Sequence, residues 1–152
     1  MAGEVFLKGK VKIIGIWDGS AYRPVACDTQ NTLETVLSDG ASVVTKCDPD
    51  NIVTTPGAFS YSLSGEGVQL DTTSTSGDTA KASHDFLFDL QQNKTRVSWR
   101  RVTGLADIPF YYGYGYINNL SDLGETGEDN PNATYTFTLN GDGGIVKTDP
   151  NV

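Results

Sequence analysis

Phe59-Ser60-Tyr61-Ser62-Leu63-Ser64 and, far downstream, Thr134-Tyr135-Thr136-Phe137-Thr138-Leu139 decide how this chain reads. Both stretches alternate without a break. Strand side chains point to opposite faces in turn, so each stretch puts three large apolar groups on one face and three hydroxyls on the other. The apolar set, Phe59, Tyr61, Leu63, Tyr135, Phe137 and Leu139, is the expected core. The second face is wet but nearly uncharged. An ordinary solvent face carries Lys and Glu, so a matched pair of Ser and Thr faces points to a smooth polar surface that something slides over or packs against.

The rest of the chain supports a β protein. Its 152 residues fit one domain, large enough to bury a core without staples. Breaker residues recur about every ten positions, the spacing of an all-β sandwich or barrel. The opening Met1-Ala2-Gly3-Glu4 leads into no apolar run of signal-peptide length, and no run of about 18 apolar residues occurs, so a protein made in a cytoplasm and needing no membrane is expected. Cys27 and Cys47 form no C-x-x-C pair and read as two small buried side chains. The formal charge of −8 argues against a protein that grips nucleic acid by its phosphates, which needs clustered Lys and Arg. A surface that must let DNA pass without holding it would also be acidic.

In chain order the patterns predict strands at 9–17 and 22–27 around a turn at Asp18-Gly19-Ser20, then a hairpin of 31–38 and 41–47 closed by Asp39-Gly40. A long strand at 58–70 follows. The polar stretch 71–82 has no apolar periodicity and reads as a mobile loop. One helix is expected at 84–93, with Ser83 as N-cap, Asp85 in the first turn, an apolar stripe of Phe86, Leu87 and Leu90, and Asn93 as the stop. Strands at 95–102, 110–120 and 133–140 complete the chain, the last two separated by an acidic loop at 122–130, with Asn140-Gly141-Asp142-Gly143-Gly144 as a turn.

Chemistry is nearly missing from the sequence. Ser83-His84-Asp85 holds triad residue types, but helical neighbours point about 100° apart and cannot form a nucleophile–base chain. His84 alone makes no metal cluster, Asp48-Pro49-Asp50-Asn51 lacks the glycine and distal glutamate of a calcium loop, and the acidic loop 122–130, which could bind calcium, reads instead as a solvated turn. No catalytic residue, metal ligand or cofactor is expected. Two basic groups remain. Lys8, Lys10 and Lys12 alternate on one face, as an edge strand resisting wrong pairing or a contact with a neighbouring subunit would require. Arg96, Arg100 and Arg101, beside Lys94 and Trp99, read as partners for a neighbour's Asp and Glu.

The series Pro24-Val25-Ala26-Cys27, Asn31-Thr32-Leu33-Glu34-Thr35, Val44-Thr45-Lys46-Cys47, Thr55-Pro56-Gly57-Ala58-Phe59-Ser60-Tyr61, Phe86-Leu87-Phe88-Asp89-Leu90, Thr95-Arg96-Val97-Ser98-Trp99, Tyr112-Gly113-Tyr114-Gly115-Tyr116-Ile117-Asn118-Asn119-Leu120 and Thr134 to Gly143 resembles the major tail tube proteins of long-tailed, non-contractile bacteriophages. The resemblance spans about residues 5–146 and rests on diffuse patterns. It implies a β-sandwich flanked by one helix, a fold shared with contractile tails and the type VI secretion tube. Six copies would close into a ring whose inner sheets join into one barrel, and rings would stack into the tube that carries DNA to the host. On this reading residues 1–152 form one domain, with an N-terminal arm at 1–8, the mobile loop at 71–82 and a C-terminal tail at 146–152.

Joined to the alternation, the resemblance makes Glu34, Ser60, Ser62, Ser64, Glu66, Thr134, Thr136 and Thr138 candidate lumen residues. Lys8, Lys10, Lys12, Arg96, Arg100 and Arg101 are candidates for contacts between subunits. The implied partners are further copies of the chain, a tape measure protein, a tail terminator, distal tail proteins and double-stranded DNA in passing, and the implied place is the virion tail. Rival readings are the inner tube of a contractile or type VI-like system, a carbohydrate-binding or adhesion module using Trp99, Tyr111, Tyr112, Tyr114 and Tyr116 as its platform, and a small enzyme around His84.

Overall fold

The computed structural model describes residues 12–25, 28–69, 81–102, 110–124 and 133–151. Seven strands and one helix follow in the order β1 (Ile14–Trp17), β2 (Tyr22–Pro24), β3 (Asp28–Thr45), β4 (Asp48–Val68), α1 (His84–Gln92), β5 (Val97–Arg101), β6 (Tyr111–Leu123) and β7 (Thr134–Val146). All seven strands belong to one antiparallel sheet, ordered β2-β1-β5-β6-β7-β4-β3. The sheet makes two layers by folding over on itself, and it does not close into a barrel.

The pairing shows how. β5 pairs only with the first part of β6, from Val97↔Gly115 to Arg101↔Tyr111, whereas β4 pairs only with the first part of β7, from Val68↔Thr134 to Ser62↔Asn140. β6 and β7 are long enough to serve both, so the sheet turns along their length. Two register shifts in the β6–β7 ladder, between Tyr112 and Tyr114 and between Ile117 and Asn119, supply the extra twist that bulges bring. Ile14, Ile16, Val97 and Trp99 then face Tyr61, Leu63, Ile117, Tyr135, Phe137 and Leu139 across one core.

Tyr61 joins the layers directly. Its hydroxyl donates to the carbonyl of Tyr114 and accepts from Nε1 of Trp99 at 3.3 Å. Its ring fits only because residues 113 and 141 are glycines: a Cβ at Gly113 would lie 2.6 Å from the Tyr61 hydroxyl, and one at Gly141 would run into the ring. Of the apolar set expected in the core, five members are buried, but Phe59 is 45% exposed. It points to the core side of β4 at a level the opposite layer does not reach.

The turn at Asp18 matches expectation, with Oδ1 of Asp18 accepting from the amides of Ser20 and Ala21 and Gly19 at φ +104°. The helix also falls where the sequence puts it. Ser83 precedes it in extended conformation, Leu87 is fully buried, and Phe86 and Leu90 lie against the core. The chain leaves it through Lys94, whose φ of 55° places a lysine in the left-handed conformation that usually selects glycine.

Three sequence expectations are overturned. Asp39-Gly40 does not close a hairpin: β3 runs straight through it, and β3 and β4 form one long hairpin turning at Lys46-Cys47. Asp39 pairs with Pro56, and the register shifts on both sides of it, so Asp39-Gly40 and Pro56-Gly57 meet as an irregularity inside the ladder. A Cβ at Gly57 would lie 2.5 Å from the Ser38 hydroxyl. The glycines were needed for a close crossing, not for a turn.

Asn140-Gly141-Asp142-Gly143-Gly144 likewise lies within β7, where Gly143 at φ +86° absorbs the extra residues between Asp142 and Val146. Cys47, expected to be buried, is a free and exposed thiol at the hairpin turn. The strand expected at 9–17 begins at Ile14 and that at 22–27 ends at Pro24. Residues 9–11 and Cys27 lie outside the described residues, as do 71–80 of the expected loop and most of the acidic loop.

Replacing Tyr61 with Phe removes the donor to Tyr114 and strands the buried N–H of Trp99. The variant should fold with a stability lower by about 1–3 kcal/mol, measured by urea unfolding. A loss below about 0.5 kcal/mol would mean that packing alone holds the layers together.

Candidate functional site

The outward face of the β6-β7-β4-β3 layer carries the candidate lumen residues, and the register aligns them in rows. Tyr116, Asn140, Ser62 and Glu34 are direct cross-strand partners. The next row is Asn119, Thr138, Ser64 and Thr32, and the next is Ser121, Thr136, Glu66 and Gln30. Val36 with Ser60, and Leu123 with Thr134 and Val68, extend the face at its ends. With neighbouring strands about 4.8 Å apart, each row is about 14 Å wide. Every one of these side chains is exposed or partly exposed.

The charge in these rows is one-sided: Glu34 and Glu66 are their carboxylates, and none of their residues is a lysine or arginine; the next row along β6 and β7, Tyr114 with Asp142, is where Arg96 sits. All eight candidate lumen residues are therefore brought together. Reading the sequence alone missed Gln30, Thr32, Tyr116, Asn119, Ser121 and Asn140. Gln30 and Thr32 share the parity of Glu34 and were within reach. Asn119 and Ser121 were not, because the bulge after Ile117 moves β6 from even to odd residues on this face.

The candidate subunit-contact residues do not gather. Lys8 and Lys10 lie outside the described residues, and Lys12 stands half-buried before β1. Arg96 and Arg100 are on the outer face of the other layer. Arg96 donates from Nε to Asp142 at 2.8 Å and lies 4.1 Å over the Tyr114 ring. Arg100 stacks 4.6 Å over Tyr22. The C-terminal segment covers the same face: Asp149 accepts from the Tyr22 hydroxyl at 2.8 Å, and Asn151 donates to that hydroxyl and to Ser98, each at 2.9 Å.

Arg101 points between the layers. Its Nε donates to Oδ1 of Asn31 at 3.0 Å, and Asn31 in turn donates to Asp28 at 2.6 Å. Burial pulls the Arg101 guanidinium down from its usual range, with Asp28 opposing. Burial pushes the Asp28 carboxyl above its usual value, and this outweighs the hydrogen bonds from Asn31 and Gln30 and the Arg101 charge.

Of the rival platforms, Trp99 is fully buried and Tyr112 nearly so, so neither is open for stacking; Tyr116 is 42% exposed but stands in the polar rows. His84 sits in the first turn of α1 with its ring stacked on Phe88. Among the described residues no three His, Cys, Asp or Glu side chains gather as a metal site would need.

The chain matches no protein-family model and no curated protein sequence. Its fold does match solved structures. A chain from the virion of a native gene transfer agent superposes with a TM-score of 0.68 at 17% identity, covering 93% of this chain and 98% of its own. The tail of the empty gene transfer agent particle, refined with C6 symmetry, gives the same figures. The SPP1 tail tube superposes at TM-score 0.64 and 12% identity, over 90% of this chain and 76% of its own. A chain of the sheath–tube complex of an extracellular contractile injection system gives 0.59 and 13%, over 94% and 91%. The protein has the tail tube fold.

Asp28 gives this region a pH dependence. A carboxyl whose folded value lies above the ordinary 3.8 contributes stability that is fully present below 3.8 and lost as the pH rises through the folded value. The stability of Asp28→Asn relative to the native chain should therefore climb in thermal melts as the pH rises above about 4. A difference that stays flat with pH would contradict the burial of this carboxylate.

Proposed function

We propose that this chain is the structural subunit of a phage tail tube, assembling as hexameric rings that stack around a lumen through which DNA leaves the virion. The observation that carries the reading is the set of three polar rows, each running unbroken across four strands and backed by an apolar core. A wall of hydroxyls, amides and sparse carboxylates offers phosphates no cation to bind and repels them mildly, so DNA slides and does not stick.

The sheet topology supports ring closure. Among the described residues, β3 ends the sheet with one side unpaired, and residues 116–123 of β6 lie beyond the reach of β5, with the side chain of Gln91 reaching the Asn118 carbonyl there. Among the described residues the polar layer thus has two edges with no strand partner. It contains four antiparallel strands, an even number, so β3 of one copy meets β6 of the next in antiparallel sense. Head-to-tail pairing continues both the sheet and its polar face, and six repeats close a barrel with no edge left over. The C6 symmetry of one structural neighbour fits that number.

The partners this reading calls for are further copies, a tape measure protein, a tail terminator and distal tail proteins, with assembly in the host cytoplasm and residence in the virion tail. The role is structural and not enzymatic. The non-contractile context is the first choice; the likeness to a sheath–tube complex supports the inner tube of a contractile system as the second reading.

The double variant Glu34→Lys with Glu66→Lys tests the lumen. Both residues are solvent-exposed, so stability should shift by no more than about 0.5 kcal/mol and tubes should keep their shape in electron micrographs. DNA delivery, measured as ejection from virions carrying the variant, should slow or stop. Normal delivery would show that this face does not line the DNA path, and failure to assemble would place the two glutamates in an interface.

A further inference from the structure

β3 is the last strand of the polar layer. Among the described residues it pairs with β4 on one side only, and its inward residues bury little: Leu33 is partly covered, while Leu37 is 59% exposed. One inward residue does reach the opposite layer. The Asn31 amide donates to the backbone carbonyl of Lys12 at 2.8 Å and to Asp28 at 2.6 Å, and its oxygen accepts from Arg101 Nε at 3.0 Å. A second guanidinium nitrogen of Arg101 lies 3.4 Å from the Asn31 carbonyl. These groups border a cavity of about 430 Å³ between the last strand of the sheet and its β1–β5 end.

We infer that Asn31 is a positioning residue, the centre of a polar latch with Asp28, Arg101 and the Lys12 carbonyl that fixes the tilt of β3 against the β1–β5 layer. The inference rests on the reading that β3 carries part of the working face and one free edge. An apolar contact would hold the strand by area alone and tolerate rotation. Hydrogen bonds weaken steeply away from their preferred angles, so an amide satisfied at all three positions holds one orientation. Asp28 is kept as a half-buried carboxylate at a cost in stability, which is what a latch selected for direction looks like. Asn31 lies opposite Gly65, where a Cβ would come within 2.8 Å of the Phe137 ring, so the latch stands beside the core without displacing it.

Spin labels read the tilt in the unassembled subunit. With Cys27→Ser and Cys47→Ser, labels placed through Thr32→Cys on β3 and Gln92→Cys at the end of α1 should give one narrow distance peak. Asn31→Ala should replace it with a broad distribution, and Arg101→Lys, which keeps the charge but loses the planar fork, should broaden it less. Leu87→Ala is the control: it removes a fully buried side chain and should lower the melting temperature while leaving the peak narrow. An unchanged narrow peak in Asn31→Ala, or in Arg101→Lys should the alanine variant not fold, would overturn the inference. Because the labels report on single subunits, a native chain that forms no tubes would count against the proposed function and leave this result standing.

Discussion

The register of β4 on β7, from Ser62↔Asn140 to Val68↔Thr134, is the constraint on which the rest of the structure depends. Side chains alternate with a period of two, so sliding this pairing by one residue would turn Tyr135, Phe137 and Leu139 to water and drive three threonines into the core. The core defends the register from one side, through the contacts of Leu63, Leu139 and Ile117 in one row. Tyr61 defends it from the other, by reaching the backbone of β6 and the indole of β5. The polar rows come with the same register at no further cost. A functional face built this way is as rigid as the core behind it.

This coupling explains what the sequence revealed and what it hid. The uninterrupted alternations at 59–64 and 134–139 disclosed the two faces and, except for Phe59, the core residues they contribute, because period-two patterning is written locally. The helix was equally legible, since Asp85 in the first turn and the stripe through Leu87 and Leu90 obey local rules of dipole and periodicity; Ser83 stands at the N-cap position, but its side chain makes no capping hydrogen bond. Besides Cys47 and Phe59, which are exposed, the errors fell on glycine. Asp39-Gly40 and Asn140-Gly141-Asp142-Gly143-Gly144 carry turn chemistry, yet both lie inside strands, where glycine is used for close crossing or for a bulge. Local sequence does not distinguish those uses, because the clash that glycine avoids is with a residue distant in the chain: Ser38 for Gly57, Tyr61 for Gly141. Asn119 and Ser121 stayed hidden for a related reason, their face being set by a bulge that only the partner strand defines. Asn31 and Arg101 were unreadable as a pair, since they meet only because the sheet folds over.

The chemistry of the molecule is divided between its layers. Arginines stacked on tyrosines and a C-terminal segment cover one outer face, while hydroxyls and two glutamates cover the other. In a chain of net charge −8, the three polar rows themselves hold no cation, and Arg96, at the neighbouring Tyr114–Asp142 row, is paired with Asp142. Two edges without a strand partner among the described residues give the chain a way to multiply the face, and long β-sheet edges are rarely left open in a protein that stays alone.

The most direct test of the central claim is a helical reconstruction by cryo-electron microscopy of the assembled protein, at a resolution that separates strands. The expected result is a continuous inner barrel in which β3 of each subunit pairs antiparallel with residues 116–123 of β6 in the next, and in which Ser62, Ser64, Thr136 and Thr138 line the lumen. A tube whose lumen is lined by Arg96, Arg100 and Tyr114, or a protein that remains monomeric at every concentration, would contradict it.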